Sequence, residues 1–108
     1  MSVSFFIVGV RMPLEEQLRF NFAHANAGEL LDLVGLRTPD LCGQVRSRDL
    51  RQRITRVLEA GLEDGPRPTR QEGRVIWCGQ PAGRREERLR ALLDLCALAG
   101  ELGVIAWA

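Results

Sequence analysis

The chain has 108 residues, of which 45% are hydrophobic, and its formal net charge is +1 at neutral pH. This length predicts a single domain spanning residues 1–108, and this hydrophobic content supports a folded core, which excludes a disordered chain. The near-neutral charge excludes a protein that binds polyanions over its whole surface. All 15 basic residues are arginine, so chemistry that depends on a lysine amine is excluded as well.

The first predicted element is a strand over residues 2–12 that is apolar on both faces. One face carries Val3, Phe5 and Ile7. The other carries Phe6, Val8 and Val10. A strand covered on one side only would alternate apolar and polar residues. Both faces of this strand are therefore expected to be covered, either by helices or by a second chain.

A second strand is predicted over residues 18–24, after a proline-containing loop. Its alternation places Leu18, Phe20, Phe22 and His24 on one side and polar or small residues on the other. This pattern is typical of a half-exposed strand, and the short connection indicates pairing with the first strand.

Two helices follow. Asn26 and Glu29 have the spacing of a capping box, which predicts a helix from Asn26 to Gly35. Ser47 is the predicted N-cap of a second helix that ends near Gly61. The buried face of this second helix is predicted from its apolar spacing to consist of Leu50, Ile54, Val57 and Leu58.

The last third of the chain predicts a strand, a long helix and a final strand. Residues 63–73 contain prolines and glycines but no apolar residue, which indicates an exposed loop. Residues 74–79 then form a strand, residues 84–102 a helix ending at Gly103, and residues 104–107 a strand apolar on both faces. The apolar stripe of the helix consists of Leu89, Leu92, Leu93, Cys96, Ala99 and Leu102.

These elements predict an α+β fold. The expected architecture is a two-layer sandwich in which about three helices pack mainly on one face of a four-stranded mixed sheet. The last three elements are expected to form a right-handed β-α-β crossover. Three helices leave one sheet face uncovered, and a monomer tolerates a large exposed apolar face poorly. We therefore expect a homodimer, or docking to a protein partner, with Val3, Phe5 and Ile7 in the interface.

One candidate ligand site lies at the junction of the second strand and the first predicted helix. Asn21, His24 and Asn26 meet there, and the free amides of a helix N-terminus favour an anion. His24 is the only histidine, so proton transfer by an imidazole would have to use it. The alternative is that Asn26 is a cap, Asn21 faces solvent and His24 lies at the edge of the core.

A second candidate is an arginine-rich helix face. It consists of Arg46, Arg48, Arg51, Arg53 and Arg56. Guanidinium groups on the polar arc of the second helix could contact phosphates. The alternative is an ordinary charged helix surface, in which nearby acidic residues pair with the arginines.

The other chemical patterns do not predict a catalytic or metal site. Three cysteines, Cys42, Cys78 and Cys96, lack the spacing of a disulfide framework or a zinc site. Neither Cys42 nor Cys78 has a local signature for a nucleophile paired with His24. Phosphate-loop, dinucleotide and nucleophile-elbow motifs are absent. No cofactor is therefore expected.

The sequence as a whole predicts a small non-catalytic module, of bacterial or phage type, that binds proteins or acts as an accessory factor and self-associates. Nucleic-acid binding through the arginine-rich helix is the alternative function. No apolar run is long enough to span a bilayer, and no charged leader precedes an apolar core. A cytoplasmic protein with reduced thiols is expected.

Overall fold

The computed structural model describes residues 2–62, 70–72, 75–77 and 83–108, which contain six strands and four helices. The strands are β1 (Ser2–Ile7), β2 (Asn21–Ala23), β3 (Gly43–Arg46), β4 (Arg70–Glu72), β5 (Val75–Trp77) and β6 (Val104–Trp107). The helices are α1 (Leu14–Arg19), α2 (His24–Leu33), α3 (Ser47–Ala60) and α4 (Arg84–Ala99).

The main sheet has four strands in the order β2-β1-β6-β3, and every neighbouring pair is antiparallel. The C-terminal strand β6 lies between β1 and β3, so the end of the chain pairs with its beginning. This arrangement confirms the α+β sandwich and the four-stranded sheet. The sheet is antiparallel rather than mixed, however, and four helices accompany it instead of three.

The predicted C-terminal crossover is wrong. Strand β5 pairs with β4 in a separate two-stranded sheet, so residues 70–72 are a strand and not part of a loop. The rest of the predicted loop lies outside the described residues. The fourth strand of the main sheet is β3, which pairs with β6 from Gly43↔Trp107 to Arg46↔Val104. Because β3 has a single β-branched residue, its sequence gave little indication of a strand.

The segment between β1 and β2 contains a short helix, whereas the sequence predicts a loop there followed by the first residues of the second strand. Helix α1 follows Pro13 and has Glu15 and Glu16 in its first turn, where carboxylates complement the helix dipole. Leu18 is therefore helical and exposed, and only residues 21–23 form β2. The predicted pairing of the first two strands is confirmed, in the register Val3↔Phe22.

The helix boundaries differ from the predicted ones at two places. Helix α2 begins at His24, so Asn26 is not its cap, and Glu29 forms an ion pair with Arg85 of α4. Helix α4 ends at Ala99 because Gly100 adopts a left-handed φ of 73°. Leu102 consequently lies beyond the helix and is 98% exposed. The predicted helix that starts near Ser47 and the strand at residues 104–107 are confirmed. The predicted capping role of Ser47 is wrong, because Ser47 is the first residue of α3, Arg46 is the N-cap and no side chain in the described part of the chain caps this helix.

The core lies between the sheet and helices α2, α3 and α4. Its sheet side is aromatic: the Phe5 ring is 5.7 Å from that of Phe22 and 5.9 Å from that of Trp107. The helices contribute mainly leucine side chains that are almost fully buried. These are Leu30, Leu31, Leu50, Leu89, Leu92 and Leu95, together with Ile54. Removing this apolar surface from water is the main stabilising contribution to the fold.

One buried polar contact joins the two longest helices. The Ser47 hydroxyl donates to the carbonyl oxygen of Cys96 at 3.0 Å, and the Ser47 backbone amide donates to the carbonyl of Gly103 at 2.9 Å. The start of α3 is thereby connected to the end of α4 and to the approach to β6. None of the helices in the described part of the chain has the length and apolar character needed to cross a membrane.

Candidate interaction surfaces

The two faces of the main sheet have opposite environments. Val3, Phe5 and Ile7 point to the helices and are 3%, 2% and 4% exposed. Their predicted role as an interface is therefore wrong, because α2, α3 and α4 of the same chain already cover them. The face that remains open is the one with Phe6, which is 42% exposed.

The register of the sheet defines the composition of this outer face. Phe6 and Gln44 both pair with Ala106, and paired residues in an antiparallel sheet lie on the same face. Ser4 precedes Phe6 by two residues and pairs with Asn21. The centre of the outer face is therefore uncharged, with an aromatic ring between hydroxyl and amide side chains.

A surface groove of about 460 Å³ begins at this outer face. Ser4 and Phe6 form one side, and Val10, Met12 and Gln17 belong to the loop and helix that follow β1. The Gln17 amide donates to the carbonyl oxygen of Met12 at 2.6 Å and so attaches the loop to α1. This hydrogen bond holds together the loop and the helix that form the second side of the groove.

Exposed apolar side chains are concentrated in the part of the chain that forms this groove. Among the described residues, five of the seven large hydrophobic side chains that are exposed fall between positions 6 and 18. We call them the Phe6 surface: Phe6, Val8, Val10, Leu14 and Leu18, which are 42%, 48%, 53%, 70% and 64% exposed. Leu14 is three positions from Gln17 along α1 and shares its side of the helix, whereas Leu18 points about 100° away from Gln17. Of the Phe6 surface, Phe6 and Val10 line the groove, while Val8, Leu14 and Leu18 are exposed on the segments that adjoin it in sequence.

The structure places the three residues of the predicted ligand site, Asn21, His24 and Asn26, in three different environments. The Asn21 amide donates to the hydroxyls of Ser2 at 3.2 Å and Ser4 at 2.7 Å, so it links β2 to β1 on the outer face. His24 is exposed as the first residue of α2, and Asn26 is half-buried within that helix. None of these three residues lines the groove beside Phe6.

The arginine-rich helix is confirmed as a helix, and its solvent face is strongly polar. Its exposed residues recur at steps of three and four, as expected for one side of a helix. We call the following residues the α3 stripe: Arg48, Arg51, Gln52, Thr55 and Arg56. Arg46 is exposed immediately before the helix and extends the basic region towards the sheet.

Arg53 does not belong to the α3 stripe. Its Nε atom donates to Asp49 Oδ1 at 3.0 Å, and one of its terminal nitrogens donates to the carbonyl oxygen of Val34 at 2.9 Å. Val34 is the C-cap residue of α2, whose last carbonyls lack partners within the helix. Arg53 therefore joins α3 to the end of α2 and has a structural role.

Few carboxylates neutralise the α3 stripe. Within the described residues, no carboxylate lies within 4.0 Å of Arg46, Arg48 or Arg56, and Arg51 only reaches Glu101 at 4.0 Å. Asp49, the acid nearest to Arg48 and Arg51 in sequence, is bonded to Arg53. Glu59 is exposed one turn beyond Arg56 but forms no ion pair with an arginine of the described residues. The Arg48–Arg56 part of the stripe therefore has a net positive charge.

The cysteines occupy contrasting environments, and Cys78 lies outside the described residues. Cys42 is exposed, and its thiol donates to Asp40 Oδ2 at 3.1 Å. This hydrogen bond to a carboxylate raises the pKa of Cys42 and lowers the pKa of Asp40. Cys96 is buried, and burial raises the pKa of its thiol. A raised pKa disfavours the nucleophilic thiolate at neutral pH.

Sequence reasoning missed the Phe6 surface in part because it missed α1. The signals were present: Pro13 precedes the helix, acidic residues occupy its first turn, and Leu14 and Leu18 are one turn apart.

Comparison of the chain with protein-family models, curated proteins and solved structures found no match.

Proposed function

We propose that this chain is a small non-catalytic binding module that associates with a second copy of itself through the Phe6 surface. The observation that carries the proposal is the concentration of exposed apolar side chains between positions 6 and 18, two of which, Phe6 and Val10, line the groove. Monomeric proteins rarely expose large contiguous apolar surface, and an aromatic side chain at the centre of such a surface is typical of an interface.

The chemistry of the outer face favours a second copy over a charged partner. Its centre contains Ser4, Asn21, Phe6, Ala106 and Gln44, none of which is charged. Two such centres can pack without placing like charges together, whereas a strongly charged partner would find no opposite charge within the centre. The cations beside it are Arg11, which lines the groove, and Arg46, at the end of β3. The net charge of +1 per chain adds little long-range repulsion between copies.

The side chains with catalytic potential support a non-catalytic role. His24 is exposed at the start of α2, and the thiol of Cys42 is bonded to Asp40 rather than to an imidazole. A thiol needs a lowered pKa or an adjacent base to act as a nucleophile, and the pKa of Cys42 is raised. The free thiols of Cys42 and Cys96 also support a reducing, cytoplasmic location.

The test is the mass in solution, measured by light scattering over a concentration series. We expect the unmodified chain to have twice the mass of one chain at high micromolar concentration. Phe6→Glu places a charge at the centre of the contact and should return the mass to that of one chain. Val10→Glu, at the opposite side of the groove, should have the same effect.

Leu98→Glu is the matched control, because Leu98 is 62% exposed on α4 and lies outside the Phe6 surface. This variant should remain dimeric, and circular dichroism should show that all three variants are folded. A mass of one chain for the unmodified protein at every concentration would overturn the proposal. So would a dimer that Phe6→Glu and Val10→Glu leave intact.

A further inference from the structure

We infer that the α3 stripe is a second binding surface, which contacts the phosphates of a nucleic-acid duplex. The inference is independent of self-association, because the stripe and the Phe6 surface share no residue. Its starting point is a set of three exposed arginines, Arg48, Arg51 and Arg56, on one side of a helix.

The dimensions of the stripe match a duplex. From Arg48 to Arg56 the helix advances about 12 Å at 1.5 Å per residue, which corresponds to roughly three to four base pairs at 3.4 Å each. The major groove of DNA is about 12 Å wide and admits a single helix. Three guanidinium groups along one helix can therefore reach successive phosphates beside the groove.

The charge of the stripe is available for binding because of Arg53. Arg53 is bonded to Asp49 and to the C-terminal end of α2, so Asp49 does not pair with Arg48 or Arg51. Glu59 follows Arg56 by three residues and forms no ion pair with it. The contact of Arg51 with Glu101 is 4.0 Å long between two exposed side chains. Such an exposed pair contributes little and is easily exchanged for a phosphate.

The residue types favour nucleic acid over an acidic protein. Protein interfaces depend on a few buried aromatic or aliphatic anchors, and the α3 stripe contains none. It instead places Gln52 between the arginines, and its amide can hydrogen-bond to a phosphate or a base edge. The Thr55 hydroxyl donates to the carbonyl oxygen of Arg51 at 2.8 Å within the helix. Interfaces with DNA are more polar and more positive than those between proteins.

The experiment is a titration of a short fluorescent DNA duplex of random sequence, followed by anisotropy at several salt concentrations. If three phosphates are neutralised, the logarithm of the affinity should fall with the logarithm of salt concentration with a slope of about −2.7. This slope corresponds to a loss of roughly 40-fold between about 50 and about 200 mM salt. The triple variant Arg48→Gln, Arg51→Gln, Arg56→Gln should lose most of this binding and most of the slope.

The matched control replaces three exposed arginines that already pair with neighbouring carboxylates: Arg37, Arg84 and Arg90. Changing these three to glutamine alters the net charge equally and should leave duplex binding nearly unchanged. The triple variant Arg48→Lys, Arg51→Lys, Arg56→Lys keeps the positive charge and should retain the dependence of duplex affinity on salt concentration.

Three results would overturn the inference. The first is no duplex binding at low salt by a folded protein. The second is an equal loss of binding in the control, which would mean that only net charge matters. The third is binding of a polyglutamate peptide but not of the duplex, which would assign the stripe to an acidic protein.

Discussion

The two faces of β1 have similar residues and opposite environments. Phe5 is 2% exposed on the inner face, and its neighbour Phe6 is 42% exposed on the outer face. Side chains alternate along a strand, so one step in sequence moves a phenylalanine from the core to the surface. Hydrophobicity alone therefore shows that both faces of β1 are apolar, but it does not show which face the helices cover.

The neighbouring strands distinguish the faces more clearly than β1 itself. On the inner side, Phe5 contacts the rings of Phe22 and Trp107. On the outer side, the strands paired with β1 contribute Asn21 and Ala106. A core requires apolar residues from every strand, whereas an interaction surface can consist of one apolar centre within a polar face.

The sharpest test of this contrast is a pair of alanine substitutions one residue apart. Phe5→Ala removes a fully buried ring and leaves a cavity, so we expect the free energy of unfolding to fall by about 3–5 kcal/mol. Phe6→Ala removes a partly exposed ring and should cost about 1 kcal/mol or less. Urea unfolding measures both values, at a protein concentration low enough to avoid self-association.

Equal losses from the two substitutions would contradict the assignment of the faces. The concentration dependence of unfolding adds a separate check. If the Phe6 surface joins two copies, the unmodified protein should gain stability as its concentration rises, and Phe6→Ala should reduce that gain.

A second pair of substitutions compares the faces of β3. Gly43 faces Trp107, and a Cβ atom at Gly43 would lie 2.8 Å from Cζ2 and 3.2 Å from Cε2 of the indole. The indole N–H has no acceptor among the described residues, so packing holds the ring in place. Gly43→Ala should therefore displace the ring and cost roughly 1–3 kcal/mol of unfolding free energy.

Gln44→Ala is the control on the outer face, where the side chain is exposed, and it should change stability by about 0.5 kcal/mol or less. Thermal or urea unfolding of both variants makes the comparison. A Gly43→Ala protein as stable as the Gln44→Ala protein would show that the sheet has room for the displaced ring.

The parts of the fold that could be predicted from the sequence are those whose signal is local. Helix α3 has clear apolar periodicity and strand β6 is a short apolar run after a glycine, and both occur where the pattern places them. The crossover was mispredicted because the partner of a strand is a non-local property: β5 resembles a core strand but pairs with β4. Strand β3 has too few apolar residues to be found by pattern.

The features of the candidate surfaces also divide into those that a local sequence pattern predicts and those that depend on contacts between distant parts of the chain. The periodicity of α3 correctly placed Arg48, Arg51 and Arg56 on its solvent side. It could not reveal that Arg53 reaches Val34, because that contact depends on how α2 packs against α3. The burial of Val3, Phe5 and Ile7 could not be predicted for a similar reason, since helices far along the chain decide which face of β1 is covered.

The exposed and buried parts of the molecule also differ in the reactivity of their thiols, Cys42 and Cys96. Exposed Cys42 should react slowly with iodoacetamide at neutral pH, because its hydrogen bond to the Asp40 carboxylate raises its pKa. Asp40→Asn removes the negative charge, so the pH at which Cys42 reacts half-maximally should move downward. Buried Cys96 should react only when the protein unfolds.

Mass spectrometry of alkylated peptides across a pH series measures each thiol separately, and a Cys78→Ser background removes the third. The sign of the shift is the decisive result. The carboxylate stabilises the protonated thiol through its hydrogen bond and repels the thiolate, so both effects delay ionisation. An unchanged reaction midpoint in Asp40→Asn would mean that the contact at 3.1 Å does not control the thiol. Burial would then be the only difference between the two cysteines.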